Sequence, residues 1–501
     1  MKLEKIIETI NPTLLCNYQD TEITGISYNS KTTQKGDIFI CMLGEHTDGH
    51  EYTKMAQDQG AAAIVALKQI DTTLPLLLVE DTTLALGQIA NIFYQKPSEN
   101  LFLIGVTGTN GKTTVTHLIE NIFEKAKKPC GLIGTLGQRI STQAVYTDAK
   151  HTTPQAPELQ KTLDKMLENG LKNVVMEVSS HSLEQHRIEG CKFNGAVFTN
   201  LTQDHLDYHI TMEKYANAKA KLFRTLNHKK QPSFAIINMD DKYAEIMKDA
   251  VPHKVKIYSY SIHNEKAKIR ATNINYSTNG ASFECITPLG RRTISLQMTG
   301  EFSIYNALAA LATSIASEID LDICIEALEN TKNVAGRFEV VSKEPMVIVD
   351  YAHTPDGLEN VLKAAKAILP NDKSELICVF GCGGDRDSTK RPKMAKIAEN
   401  IANKVVITSD NPRSEDPQQI ITDILSGIKS LDSNKIIVEI DRKEAINQAI
   451  KIAKNEDIVV IAGKGHEDYQ ILKDKTIHFD DREEARKALE SKISSKISPL
   501  D

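Results

Sequence analysis

The sequence predicts an α/β fold built on parallel sheets. Two features carry that expectation: short apolar runs ending in Gly, Asp or Asn, and segments of helical period between them. FLIGVTG, NVVMEVSS, GAVFTNL, FAIINMD, VIVDYAH, LICVFGCGG, VVITSD and IVVIAGKG read as strands buried on both faces. TTVTHLIENIFEKA, APELQKTLDKMLENG and PKMAKIAENIAN place apolar residues at helical spacing. Such β-α-β alternation puts ligands just beyond the carboxyl ends of the strands, so the chemistry is sought there.

The chain has 501 residues, and at roughly 150 residues per domain that length predicts about three domains, each with its own core. The polar stretch YQKPSEN and the segment ENTKNVAGRFE mark the expected boundaries, giving units of 1–98, 99–331 and 332–501. Sixty Lys and Arg against 66 Asp and Glu leave no basic stripe for nucleic-acid phosphates. The eight Cys are scattered without zinc-finger spacing, which suits reduced thiols in a cytoplasmic protein. MKLEKIIETINPTLL reads as an amphipathic helix rather than a signal peptide, and no apolar run is long enough to span a membrane. The Ser- and Lys-rich tail is expected to fray.

The most specific motif follows the first strong strand: LFLIGV runs into TGTNGKTT and then a helix. Gly108, Thr109, Asn110 and Gly111 form the turn, with Lys112, Thr113 and Thr114 opening the helix. Backbone N–H groups there can cradle phosphates, Lys112 can reach the outer ones, and the Thr113 hydroxyl can bind Mg²⁺. The loop departs from the strict phosphate-loop pattern, since Val106 stands five positions before Gly111. Nucleotide binding alone leaves kinase, motor, switch and ligase open.

Two further strand ends offer metal ligands: Glu177, Ser179, Ser180 and His181 after NVVMEV, and Asp204, His205, Asp207 and His209 after GAVFTNL. Glu177 and His205 are the candidates for organising Mg²⁺ beside the loop. In TMEKYANAKAKLF the apolar stripe runs through Met212, Tyr215, Ala216, Leu222 and Phe223, and Lys219 falls within it while Lys221 does not. An inward lysine near a metal must find anions, lose its proton or be converted to an anion, for instance by carbamylation with CO₂. A lysine snorkelling from the edge of the stripe is the plainer alternative.

Taken together these residues resemble the Mur ligases, which add amino acids to the UDP-MurNAc peptide precursor of bacterial peptidoglycan. The resemblance covers nearly the whole chain: GTNGKTT, MEVSSHSLEQHR, TNLTQDHLDYH, GRFE, VDYAHTPDGLEN, GCGGDRDSTKRP, SDNPRSEDP and AGKGHEDYQ. It implies a three-domain architecture with a UDP-MurNAc-binding N-terminal domain, a central P-loop ATPase-like parallel sheet and a C-terminal Rossmann-like domain. It also implies that ATP phosphorylates the D-Glu side-chain carboxylate of UDP-MurNAc-L-Ala-D-Glu, and that an amino-acid amine then attacks the acyl phosphate. By the same resemblance Lys112, Glu177, His205 and Lys219 are catalytic, Thr113, Glu177, His205 and Lys219 hold Mg²⁺, and Lys219 is the carbamylated lysine. Ser30, Thr152, Thr153, Ser179, Gln185 and Arg187 match contacts to the nucleotide precursor. Asn306, Arg337, Asp350, Tyr351 and His353 match the ATP side, where Asp350 is alternatively a strand-end cap. His46 and Asp48 in HTDGHEY resemble a loop near the uridine, with a simple polar turn as the alternative.

The incoming amino acid is matched by Arg391, Asp410, Asn411, Arg413, Gly463 and Glu467. A planar guanidinium binds a carboxylate bidentately, so Arg413 favours an amino acid with a second carboxylate, and Glu467 can take a distal ammonium. That pair describes meso-diaminopimelate, and DNPR matches the pattern of the ligases that add it. The alternatives are an L-lysine-adding ligase, a folylpolyglutamate synthetase-like enzyme and a nucleotide-regulated binding protein. The expected partners are small molecules and the expected state is a monomer. Three positions depart from the usual family wording: Lys31 in NSK, Ala335 before Gly336, and Ile210 where Gly is frequent. Of these, Ile210 bears on the backbone turn after His209.

Overall fold

The computed structural model describes residues 1–44, 47–143, 145–147, 151–226, 231–277, 280–430 and 434–497. The eight expected apolar runs all become strands of two sheets, one central and one C-terminal, and a third sheet that those runs did not foretell is built near the N-terminus. The N-terminal sheet has five strands, ordered Leu14–Cys16, Leu76–Leu78, Ala63–Ala66, Asp37–Ile40 and Gly25–Ser27. Only the outermost Leu14–Cys16 pairs antiparallel there.

The central sheet has ten strands. Its parallel heart runs Phe234–Asn238, Gly195–Phe198, Phe102–Thr107, Asn173–Glu177 and Cys130–Gly134. Beyond it an antiparallel meander, Ile269–Ser277, Gly280–Thr287 and Gly290–Leu296, extends the edge. The alternation of buried and partly exposed positions along Gly280–Thr287 marks a sheet covered well on one face, unlike the fully buried Phe234–Asn238. Helices Lys112–Lys125 and Glu301–Ala316 pack one face of this sheet, through Val115, Ile119, Ile122, Leu308 and Leu311. Helices Ala156–Glu168 and Met212–Arg224 cover the other, through Leu159, Leu163, Tyr215 and Leu222.

The C-terminal sheet has six strands in the order Glu339–Lys343, Met346–Asp350, Ile458–Ala462, Leu376–Phe380, Lys404–Ile407 and Ile436–Val438. All its pairings except the first are parallel. The strand ends of the central and C-terminal sheets therefore supply the loops that carry the phosphate-binding, metal-ligand and SDNPRSEDP motifs.

The tail differs from expectation: a helix runs Asp481–Ile497 rather than fraying from the first Ser- and Lys-rich residues. Its start is anchored by a buried ion pair between Asp481 and Arg442 (2.7 Å) and by buried Ala485 and Ala488, and Lys492 Nζ donates to Ile450 O at 2.7 Å. No helix among the described residues is long and apolar enough to cross a membrane. All eight Cys are free thiols.

Candidate active site between the central and C-terminal sheets

The phosphate loop leaves the strand Phe102–Thr107 and enters helix Lys112–Lys125 through Gly111, whose φ of 86° a side chain would strain. A Cβ there would stand 2.5 Å from Asn306 Oδ1, so glycine is what lets helix Glu301–Ala316 bring Asn306 against the loop. The Lys112 ammonium folds back to donate to Gly108 O (3.0 Å) and Thr109 O (2.9 Å). Burial lowers its pKa, while Glu177 and Asp204 act in the opposite direction.

Lys219 does point inward. It is buried on helix Met212–Arg224, its Nζ donates to the same Gly108 carbonyl at 2.8 Å, and it lies 4.5 Å from the centroid of the Tyr215 ring. Lys221, by contrast, pairs with Glu184 at 2.8 Å on a partly exposed flank. Burial, together with the neighbouring Lys112 charge, drives the Lys219 pKa well below that of an ordinary lysine. The snorkelling alternative does not describe this side chain, whose head as well as stem is out of solvent.

Glu177 is buried at a strand end, where Oε1 accepts from Thr135 N–H (2.8 Å) and Oε2 from Thr135 Oγ1 (3.2 Å). His205 lies 3.3 Å from Asp204 Oδ2 and packs edge-on to the His181 ring, 4.8 Å between centroids. Desolvation lowers the His205 pKa against the pull of Asp204, and Lys219 and Lys112 push the same way as desolvation. Among the described residues no three His, Cys, Asp or Glu side chains converge into a ready-made metal cage. The donors beside the loop are nonetheless a hydroxyl, a carboxylate, an imidazole and a lysine convertible to a carbamate. Such a set fits Mg²⁺, which keeps several waters and completes its shell with substrate phosphates.

The residues matched to the nucleotide precursor, Ser30 apart, form one network. Thr153 Oγ1 donates to Glu177 O (2.9 Å) and accepts from Ser179 N–H (3.1 Å). Arg187 donates from Nη1 to Thr153 O (3.0 Å), and from Nε and Nη2 to Gln185 Oε1 (3.0 and 2.6 Å). Thr152 Oγ1 is 3.0 Å from Thr135 Oγ1. Ser30 is buried in the N-terminal unit, two residues beyond Tyr28, whose hydroxyl donates to Glu158 of the central unit at 2.9 Å. Asp48 caps the turn Gly49–Tyr52 and pairs with His50 and, at 2.9 Å, Lys68, while His46 lies outside the described residues.

On the C-terminal side, Arg337 reaches across to the loop: Nη2 donates to Thr113 Oγ1 at 3.1 Å, with the guanidinium 4.4 Å from the centroid of the Tyr351 ring. His353 sits 4.7 Å from that ring, and burial pushes its pKa down to about 4. Asp350 acts as a strand-end clasp, accepting from Phe338 N–H (2.6 Å) and Ala352 N–H (2.7 Å).

A cavity of about 220 Å³ joins the two sides. Asp204, His205 and Asp207 line it from the central unit; Tyr351, His353, Asp410, Asn411, Arg413, Gly463 and Glu467 line it from the C-terminal unit. Arg413 is half-buried, and its Nη1 donates to Gly384 O (2.8 Å) and Asn411 O (3.3 Å). Arg391, expected with this group, stands behind it: its fork is taken by Glu415 (2.9 Å) and Asp423 (2.8 Å), and it reaches Gly383 O at 3.2 Å. Sequence reasoning passed over three cationic groups, Arg386 and Lys390 on the cavity wall and Lys464 beneath it. All three lie in GCGGDRDSTKRP and AGKGHEDYQ, directly after strands, which was the available signal.

Ile210 takes φ 67°, ψ −47° and is exposed. A β-branched residue is strained there, so glycine suits the turn for a backbone reason. Ile210→Gly is expected to stabilise the protein by about 1 kcal/mol net of glycine's chain entropy, seen as a raised thermal midpoint; an unchanged or lower midpoint would contradict the strain.

Family models match the chain in three consecutive stretches: "Mur ligase family, catalytic domain" over residues 22–94, "Mur ligase middle domain" over 106–314 and "Mur ligase, glutamate ligase domain" over 336–465. A UDP-N-acetylmuramoyl-L-alanyl-D-glutamate–2,6-diaminopimelate ligase of Listeria monocytogenes serotype 4b (strain F2365) is 45% identical over 499 residues, covering 98% of this chain and 99% of that protein. The chain belongs to the Mur ligase family. A second family member with the same ligase name, from Bacillus cereus, is 43% identical over 501 residues, 99% of this chain and 100% of its own length. A solved structure of a ligase of that name superimposes with a TM-score of 0.69 at 34% identity, covering 98% of this chain and 99% of that one. A folylpolyglutamate synthase of Mycobacterium tuberculosis shares the fold at a TM-score of 0.63 and 17% identity, over 76% of this chain. The Mur ligase resemblance read from the motifs thus holds over the whole length, and so does the α/β architecture.

Proposed function

We propose that this chain is an ATP-dependent amide-bond ligase that adds meso-diaminopimelate to UDP-MurNAc-L-Ala-D-Glu in cytoplasmic peptidoglycan precursor synthesis. The observation that carries it is the cavity in which Arg413 and Glu467 face Asp204 and His205. Close relatives bearing that ligase name over their full length support the same reading. In it, residues 1–98 bind the UDP-MurNAc end, 99–331 bind ATP and 332–501 deliver the amino acid, the protein working as a monomer.

Gly108, Thr109, Asn110, Gly111, Lys112, Thr113 and Thr114 cradle the ATP phosphates, with Asn306, Arg337, Asp350, Tyr351 and His353 on the nucleoside side. Asp350 acts there through the backbone it clasps. The γ-phosphoryl group passes from ATP to the D-Glu side-chain carboxylate, and Lys112, drawn off Gly108 O and Thr109 O, offsets charge on the transferring oxygens. Thr113, Glu177, His205 and carbamylated Lys219 would hold Mg²⁺, which supplies Lewis-acid stabilisation of phosphate charge when bound. Thr152, Thr153, Ser179, Gln185, Arg187 and Ser30 orient the precursor. The meso-diaminopimelate amine then forms the amide bond, inorganic phosphate leaves, and the cavity walls keep water from the acyl phosphate. Arg413 grips the distal carboxylate and Glu467 the distal ammonium. Asp410, Asn411 and Gly463 shape the floor, and Arg391 braces Gly383 and Glu415 behind it.

A phosphate-release assay with ATP and UDP-MurNAc-L-Ala-D-Glu is expected to show turnover with meso-diaminopimelate far above that with L-lysine. Equal or greater turnover with L-lysine overturns the reading and points to a lysine-adding enzyme.

A further inference from the structure

The floor of the amino-acid cavity hides a cation that touches no solvent. Lys464 follows the strand Ile458–Ala462 and is fully buried. Its Nζ donates to Asn411 Oδ1 at 2.9 Å and to Tyr469 O at 2.7 Å, and it lies 3.5 Å from Asp410 Oδ1 and 3.7 Å from Glu467 Oε2. Asn411 Oδ1 also accepts from Ile471 N–H at 2.9 Å, so both its lone pairs are engaged. The amide can then present only its Nδ2 side to Glu467, and it does, donating to Oε2 at 2.9 Å. Asp410 Oδ1, buried and without a hydrogen-bond partner, is left beside this assembly.

We infer that Lys464 is the positioning residue of the amino-acid site: its ammonium fixes the Asn411 amide and holds the Asp410 and Glu467 carboxylates together, as an anionic seat for a substrate ammonium. This rests on the ligase reading above. Without the cation, two carboxylates face each other in a poorly solvated pocket and the Asn411 amide oxygen is held by Ile471 N–H alone, which costs more than a lost contact at the surface. Around Glu467 stand Asp410 and Asn411 from one loop, Arg413 from the same loop, Tyr351 after the strand Met346–Asp350, Tyr469, and Arg442 on helix Arg442–Ile452. Burial and Asp410 raise the Glu467 pKa, whereas Lys464, Asn411 and Arg413 hold it down. Removing Lys464 lets Glu467 take up a proton, so its hold on an ammonium is lost at low pH and recovers as pH rises.

The test uses the full-length enzyme with all three substrates and compares wild type with Lys464→Met, Lys464→Gln and Lys464→Arg. The two neutral variants are expected to raise KM for meso-diaminopimelate roughly tenfold or more while KM for ATP and for the nucleotide precursor stays within about twofold. That defect should shrink as pH rises, compared at pH values below the range in which a substrate ammonium itself titrates. Lys464→Arg, which keeps the charge, should recover most of the affinity. If Lys464→Met does not yield folded protein by its melting midpoint, Lys464→Gln, which still carries an amide donor, gives the same readout. A rise in all three KM values together, or a defect independent of pH, means a merely structural lysine and overturns the inference. A wild-type enzyme that prefers L-lysine would instead overturn the ligase reading before any variant is made, and the Lys464 comparison is then decided with L-lysine.

Discussion

Replacing Lys219 by Ala is expected to lower ligation by about 10²- to 10³-fold, the scale of losing one preorganised electrostatic group at a phosphoryl-transfer centre. The reason lies in one carbonyl. Lys112 Nζ and Lys219 Nζ both donate to Gly108 O, at 3.0 and 2.8 Å. Two ammonium ions on one oxygen out of solvent repel, and burial together with the neighbouring Lys112 charge favours the neutral form of Lys219. On the proposed reading this neutral buried amine adds CO₂: the N–C bond forms, a proton leaves to solvent, and the product is an anion beside Lys112 instead of a second cation. Because a proton is released, the modification is favoured as pH rises, and activity in CO₂-depleted buffer should fall first at low pH. Lys219→Arg keeps the charge but cannot form a carbamate, so it should be as inactive as Lys219→Ala. Added bicarbonate or a short carboxylate should partly restore only the Ala variant, where space is left for an anion. Unchanged phosphate release in Lys219→Ala would defeat the role.

Lys219 also shows what the sequence can and cannot convey. Its inward direction followed from helical period alone, because Tyr215, Ala216, Leu222 and Phe223 fix which face is buried. The same holds for the eight apolar runs of the central and C-terminal sheets, but not for the N-terminal strands or the antiparallel meander over residues 269–296, whose shorter or half-exposed patterns gave no such run. What period cannot convey is which strand ends meet. That Arg337 reaches Thr113, and that Asn110 Nδ2 donates to Asp356 at 2.7 Å, depends on how the C-terminal sheet docks on the phosphate loop. Arg391 was grouped with the amino-acid pocket by its neighbours in the chain, yet Glu415 and Asp423 claim its fork, and their positions are fixed by tertiary packing. Lys464 was passed over for the opposite reason. A lysine two residues beyond a strand reads as a solvated loop charge until the folded chain places Asn411 and Glu467 over it.

On the proposed reading Arg413 carries the choice of amino acid, so its variants should separate affinity from chemistry. The residue adopts a left-handed φ of 54°, its N–H donates to Ile471 O at 3.1 Å, and Nη1 is tied to Gly384 O and Asn411 O. Nε and Nη2 have no protein acceptor among the described residues, so part of the guanidinium stays available at the cavity wall. A fork already held by its backbone and one nitrogen loses little freedom on gripping a carboxylate. Arg413→Gln should therefore raise KM for meso-diaminopimelate by roughly 10²-fold, as expected for losing a desolvated charge pair, with a much smaller change in kcat. L-lysine, with no second carboxylate, gains nothing from that fork and pays for facing an unpaired cation, so its turnover should hold or improve. The ratio of kcat/KM between the two amino acids is the decisive measurement. Arg413→Lys should restore charge without the bidentate geometry and so recover only part of the ratio. If the ratio does not change in Arg413→Gln, the selecting role of Arg413 is overturned, since the seat formed by Asp410, Asn411 and Glu467 recognises an ammonium that both amino acids possess and cannot alone tell them apart.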